Sequence, residues 1–163
     1  MAVKLGLNAR LYYLLTGTRA TWGTIDTDGM YAGAAPASLS PITRVRDVTI
    51  GIEKGDADVS TRDNDGWRAN LGTLKDGSLE FEIVWDPPQL SHTALLKSLL
   101  LNTTIAVAAL DGDKATVATQ GLWADMEVTN FSKMEELEEG QKISVTLKPA
   151  LGAIPPQWVR VTV

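Results

Sequence analysis

Two stretches of the chain alternate hydrophobic and polar residues with a period of two, the pattern of strands that give one face to a core. Val48, Ile50 and Ile52 alternate with Thr49 and Gly51, and Leu79, Phe81, Ile83 and Trp85 alternate with Glu80, Glu82 and Val84. Between them, Asp63-Asn64-Asp65-Gly66 and Lys75-Asp76-Gly77 supply residues that tolerate left-handed backbone angles, so each is expected to turn a hairpin. The block from Asp47 to Trp85 therefore reads as antiparallel sheet.

The same period recurs along the rest of the chain. Val3, Leu5, Leu7, Ala9 and Leu11 predict a long first strand over 3–15 that spans the sheet. An apolar strand is expected over 104–110, then a turn at Asp111-Gly112-Asp113 and a returning strand over 114–119. Leu122, Ala124, Met126 and Val128 mark another strand, and Ile143, Val145 and Leu147 one more. The acidic stretch 133–140 reads as a solvated turn or short helix. Pro149 and the pair Pro155-Pro156 break the chain before a last β-prone stretch, 158–163. By contrast, 16–43 is rich in Gly, Thr, Ala, Ser and Pro and sustains no period, so it is expected to be a long loop or insertion. No internal repeat or linker divides the 163 residues, and one domain over 1–163 is expected.

One helix is expected, over about 88–101, with Pro87 and Pro88 at its entrance where a missing amide costs least. At 3.6 residues per turn His92, Leu95, Leu96, Leu99 and Leu100 share a broad face. Leu90, Ala94 and Leu101 form a second apolar edge. A helix with two apolar surfaces needs a second partner, either the long loop or another subunit.

Composition removes many chemistries. A net charge of −5 argues against a protein built to grip phosphate. Without cysteine there are no disulfides, thiolate metal sites or cysteine nucleophiles, and the first ten residues do not read as a secretory signal. No membrane partner is expected. His92 is the only histidine, which excludes a histidine-based metal cluster, and its leucine-rich surroundings favour a structural role. Phosphate-binding glycine loops are absent. The acidic turns ending in Gly29 and Gly66 lack the first and twelfth ligands of a calcium loop, so turn formation explains them better. Glu80 with Glu82, and Asp125 with Glu127, are pairs expected on any solvated strand face. No catalytic, cofactor-binding or metal-binding residue is assigned, and an enzyme is not expected.

The order RDVTI, GDADVSTR, GWRA, LGTLKDGSLEFEIVWD, then a helix, LDGD, QGLWAD, VTNFSK, EELEEG and SVTLKP resembles the major tail tube proteins of long-tailed bacteriophages and prophages. The likeness is strongest from Arg46 to Pro149 and includes the opening MAVKLGLNARLYY; it is weakest over 16–43. It implies a mainly β subunit, an antiparallel sandwich or barrel-like fold with one flanking helix and long loops. It further implies self-assembly into stacked hexameric rings that form a conduit for DNA ejection. The implied partners are other copies, the tape measure, tail tip and terminator proteins, and phage DNA passing through without specific binding. The implied location is the virion tail, assembled in the bacterial host cytoplasm. In such a tube an acidic lining would let DNA slide rather than hold it.

On this reading Asp56, Asp58, Arg62, Asp63 and Trp67 are candidate contacts between subunits, because the resemblance implies that their hairpin orders against a neighbour. Leu90 and Leu101 join them as the helix's second edge. Two other functions stay open. A tube protein of a related secretion or injection machine would share the fold. A carbohydrate-binding β-sandwich would show a planar row of exposed tryptophans, drawn from Trp22, Trp67, Trp85, Trp123 and Trp158.

Overall fold

The computed structural model describes residues 6–15, 17–61, 65, 67–135 and 140–162. At its centre is β7 (Ile105–Leu110), an unbroken apolar hexapeptide with every residue buried. Continuous apolarity is what a strand covered on both faces requires. Ile105, Val107 and Ala109 point into one core, while Ala106, Ala108 and Leu110 point into a second.

β7 pairs on one side with β1 (Arg10–Leu14), which pairs in turn with β4 (Leu39–Pro41). On its other side lies β8 (Gln120–Met134). That strand is long enough to hold two partners in succession along its far edge. Its first part pairs with β10 (Gln157–Val161) and its later part with β9 (Lys142–Pro149). The sheet therefore forks. Beyond β9 come β6 (Asn70–Val84) and β5 (Val45–Asp58); beyond β10 come β3 (Tyr31–Gly33) and β2 (Thr24–Ile25). All these pairings are antiparallel except β10 with β3. The result is a mainly β fold, a curled open sheet resembling half a barrel, with one flanking helix.

The first core lies inside the curl. Leu79, Phe81 and Ile83 of β6, Leu122, Ala124, Met126 and Val128 of β8, and Ile143, Val145 and Leu147 of β9 meet there, as their alternation predicts. The helix α1 (Leu90–Leu101) closes it with Leu95, fully buried, and with Ala94 and Leu99 at the margin.

The second core corrects the expectation for 16–43. This segment is not merely a loop: it carries β2, β3 and β4 and covers the back of the central sheet. Trp22 and Leu39 pack there against Tyr12, Ala108, Trp123, Val159 and Val161. The indole rings of Trp22 and Trp123 meet edge to face, with centroids 5.8 Å apart. Arg19, also buried, clamps the segment: its Nε bonds Asp125 at 2.9 Å, and Nη2 donates to the carbonyls of Ile154 and Pro155.

Four further expectations are corrected. The first strand is shorter than predicted, since Gly6–Asn8 is a 3₁₀ turn before β1 begins at Arg10, and residues 3–5 lie outside the described ones. Lys75-Asp76-Gly77 is not a turn but part of β6, opposite Lys54, Glu53 and Ile52. Gly77 lies beside Pro149, whose Cγ would stand 3.4 Å from a Cβ placed there. The stretch 114–119 forms turns, not a strand: the Asp113 carboxylate accepts the Ala115 amide at 2.9 Å and its carbonyl the Thr116 amide at 3.0 Å. Finally, the helix begins two residues later than expected, and its buried side is Ser91, His92, Leu95 and Ser98. Leu100, expected on the core face, is exposed beside Leu101.

Candidate assembly surface

The groups that invited a catalytic reading are held by the fold. His92 is fully buried. Its Nδ1 accepts the Asp86 amide at 3.2 Å, so the proton sits on Nε2, which donates to the Thr43 carbonyl at 3.0 Å. Its ring stacks on Trp85, with centroids 5.7 Å apart. The histidine thus ties the helix entrance to the segment before β5. Replacing it with alanine leaves two partly buried backbone groups unpaired and a cavity where the fully buried ring sat, and is expected to cost about 2 kcal/mol or more. Urea unfolding of His92→Ala would measure this.

The acidic turns are likewise built from local bonds. Asp26 Oδ1 accepts the amides of Asp28 and Met30 at 2.9 and 3.0 Å, and Gly29 takes the left-handed angle that completes the turn, with φ +77°. Arg160 pins the turn from β10 by binding Asp26 and Asp28 at 3.1 and 2.9 Å. Asp125, one of the paired carboxylates, is taken by Arg19.

Among the described residues, two surfaces gather several exposed large apolar side chains each. The first is the hairpin of β5 and β6. Near the core the pair is ordinary sheet, with Ile50 opposite Leu79 and a bulge at Asp47, whose φ of +47° lets the strand bend. Further out, the side chains of 53–58 and 70–76 are nearly all exposed, so the two strands project as an arm. Strands leave the core in this way only if something else covers them or if their ladder bonds suffice.

The far end of the arm is closed by polar contacts. Val59 N donates to the Ala69 carbonyl at 2.8 Å, and the Ala69 amide to Ser60 Oγ at 2.9 Å. Hydrogen bonds from the Ser60 hydroxyl and amide hold the Asp58 carboxyl below the ordinary aspartate range. Asp56, Asp58 and Trp67, all named from sequence, sit together at this end, and Trp67 is 81% exposed. Arg62 and Asp63 lie outside the described residues, as does most of the turn Asp63-Asn64-Asp65-Gly66. Sequence reasoning missed Leu71 and Leu74, 61% and 87% exposed on the same arm. The signal was there: two leucines in a stretch of β6 that lies beyond the core alternation.

The second surface is the outer edge of α1. Of the expected second edge Leu90, Ala94 and Leu101, the two leucines are exposed and Leu100 joins them, whereas Ala94 packs against the first core. Leu90 and Leu101 stand at opposite ends of the helix, about 16 Å apart along its axis at 1.5 Å per residue. The described residues of the segment 16–43, which are 17–43, reach the first core through Ile42 and the helix entrance through Thr43, yet leave Leu90, Leu100 and Leu101 68%, 70% and 58% exposed. The tryptophans form no planar row: Trp22 and Trp123 are buried, Trp85 is stacked on His92, and Trp67 and Trp158 belong to the arm and to β10.

Neither a protein-family model nor a curated protein sequence matches the chain. Solved structures do. A chain from the tail of an empty gene transfer agent particle, refined with C6 symmetry, aligns over 92% of this chain and 96% of its own length, with a TM-score of 0.64 and 12% identity. The SPP1 tail tube aligns over 98% of this chain and 80% of its own, with a TM-score of 0.62 and 12% identity. This is the tail-tube fold. A chain of the anti-feeding prophage baseplate, 6-fold symmetrised, also aligns, over 95% of this chain and 93% of its own, with a TM-score of 0.53 and 9% identity. Because the alignments span nearly the whole chain, the tail-tube fold here includes the segment 17–41 as well as the arm.

Proposed function

We propose that this chain is a structural subunit of a phage-type tail tube, whose copies join into hexameric rings that stack as a conduit for DNA. The observation that carries this is the sharing of one fold, over more than nine-tenths of the chain, with a C6-symmetric particle tail and with the SPP1 tail tube. The exposed arm and helix edge support it. Each leucine side chain withdrawn from water gains roughly 1.5–3 kcal/mol, so Leu71, Leu74, Leu90 and Leu101 give copies a reason to associate. Asp56, Asp58, Arg62, Asp63, Trp67, Leu90 and Leu101 are the proposed contacts between copies.

In this role the chain works by geometry rather than by catalysis. Head-to-tail contacts that close by rotation make rings, and repetition along the axis makes tubes. The net charge of −5 supports a passage that DNA traverses without being held. The tape measure, tail tip and terminator proteins are the further partners of such a tube, and the virion tail, built in the host cytoplasm, is its place. The likeness to the anti-feeding prophage baseplate favours an injection-machine tube as the second reading.

Negative-stain electron microscopy of the purified protein over a concentration series, with masses from light scattering, tests the proposal. Rings or hollow tubes are the expected result. Monomer at every concentration, with or without tail-tip initiator proteins, would overturn it.

A further inference from the structure

The arm carries an arrangement of charge that a lone hairpin has no use for. Glu53 stands directly opposite Asp76, and the next pair along, Lys54, stands directly opposite Lys75. Residues directly opposite in an antiparallel pair share a face, and successive pairs alternate faces. The acids therefore lie on one face of the arm and the lysines on the other. Like charges placed directly across a ladder repel, so both pairs work against the hairpin that contains them.

The surroundings relieve this only in part, since Lys148 lines the cleft beside the acids without forming an ion pair to either. All four residues are exposed, and among the described residues no ion pair reaches any of them. Among the described residues, the Asp76 side chain accepts one hydrogen bond, from the amide of Gly77 at 2.8 Å. The lysine pair prolongs the face that holds Ile50, Leu79 and Ile52, past the point where the core ends. The acid pair lines a shallow cleft of about 230 Å³ together with Ser78, Glu80 and one cation, Lys148, so that three acids face a single lysine there. One face of the arm is thus a cationic continuation of the core side, and the other an anionic continuation of the solvent side.

The complement of each face is the other face of the same arm. We infer that successive copies of this chain dock arm against arm, Lys54 and Lys75 of one copy meeting Glu53 and Asp76 of the next. The inference rests on the self-assembly proposed above and names the contact that drives it. Because each copy supplies one cationic and one anionic face, the contact is heterologous and every copy has both a donor and an acceptor side. Opposed like pairs, unfavourable in the free chain, then become four-charge contacts between copies, so assembly is expected to weaken as salt rises.

Two charge-reversed proteins test this. Lys54→Glu with Lys75→Glu makes both faces anionic; Glu53→Lys with Asp76→Lys makes both cationic. Each alone is expected to remain monomeric by light scattering where the unaltered chain assembles, with circular dichroism confirming that it is folded. Mixed in equal amounts they are expected to regain the assembled mass, in an alternating order. If an altered arm frays, Lys54→Gln with Lys75→Gln serves instead, with weakened assembly that no longer responds to salt.

Assembly of either reversed protein alone at the unaltered concentration would overturn the contact, as would a mixture that stays monomeric. Unchanged assembly with loss of DNA retention in Lys54→Glu, Lys75→Glu would assign the lysine face to phosphate and also overturn it. An unaltered chain that never assembles would remove the self-assembly reading itself, so the two failures are distinguishable.

Discussion

Removing residues 56–62 is expected to yield a folded chain that no longer builds rings or tubes. The excised stretch begins at Asp56, beyond Ile52 and Gly77, and its described residues, 56–61, contribute nothing to either core. Secondary structure and the thermal midpoint should stay close to those of the intact chain, because none of the residues 56–61 is buried. Assembly is a different matter. The deletion destroys the end of the arm, where Asp56 pairs with Gly72 and Ala57 with Leu71, and displaces Trp67, Leu71 and Leu74 from their places on it. Each of those large side chains stands to gain on the order of 1.5–3 kcal/mol on burial against a neighbour. Losing two or three such terms multiplies the concentration needed for assembly by several powers of ten. Light scattering should then report only monomer, slightly lighter than the 17.5 kDa intact chain, across the accessible range. Tubes of ordinary length from the shortened chain would sink the arm's proposed role while leaving the fold untouched.

What the sequence disclosed, and what it hid, follows from where each residue finds its partners. The strands around the first core were legible because their neighbours on one face are uniformly apolar: Leu79, Phe81 and Ile83 need only the period of two to be recognised. The helix was legible for the same reason, although its buried side is centred on Leu95 with two serines, Ser91 and Ser98, that no hydrophobic pattern would place inside. The arm was half legible. Its two strands leave the core and lose alternation, so Asp76-Gly77 looked like a turn when it is paired strand. Leu90 and Leu101 were found as a surplus of leucine over what one helix face can bury, whereas Leu71 and Leu74 were passed over among glycine, threonine and lysine.

The segment 17–41 was opaque because its structure is made of distant contacts. Its strands have two or three residues each, too short to show any period. Arg19 meets partners 104 to 136 positions away, and β3 is held between the two-residue β2 and the parallel β10 at the far end of the chain. A few large anchors hold such a segment, and Trp22 is the chief of them. It is 1% exposed, its amide donates to Gln157 Oε1 at 3.2 Å and its indole to the Gly33 carbonyl at 3.3 Å.

Trp22→Ala should therefore destabilise the fold far more than a change in a surface loop would. Truncating a buried tryptophan typically costs about 3–5 kcal/mol, of which part is transfer from water and part the cavity left behind. Here the cavity opens against Trp123, whose own Nε1 donates to the Ala20 carbonyl at 3.0 Å, so relaxation into the gap would strain that bond. A surface site would shift stability by no more than about 0.5 kcal/mol. Chemical denaturation of the unassembled chain separates these outcomes, since assembly would otherwise mask the loss. A value near zero would mean that 17–41 is an appendage and that the second core does not exist in solution. A loss of several kcal/mol, with tubes recovered at high protein concentration, would place Trp22 in the subunit's stability and not in the contacts between subunits.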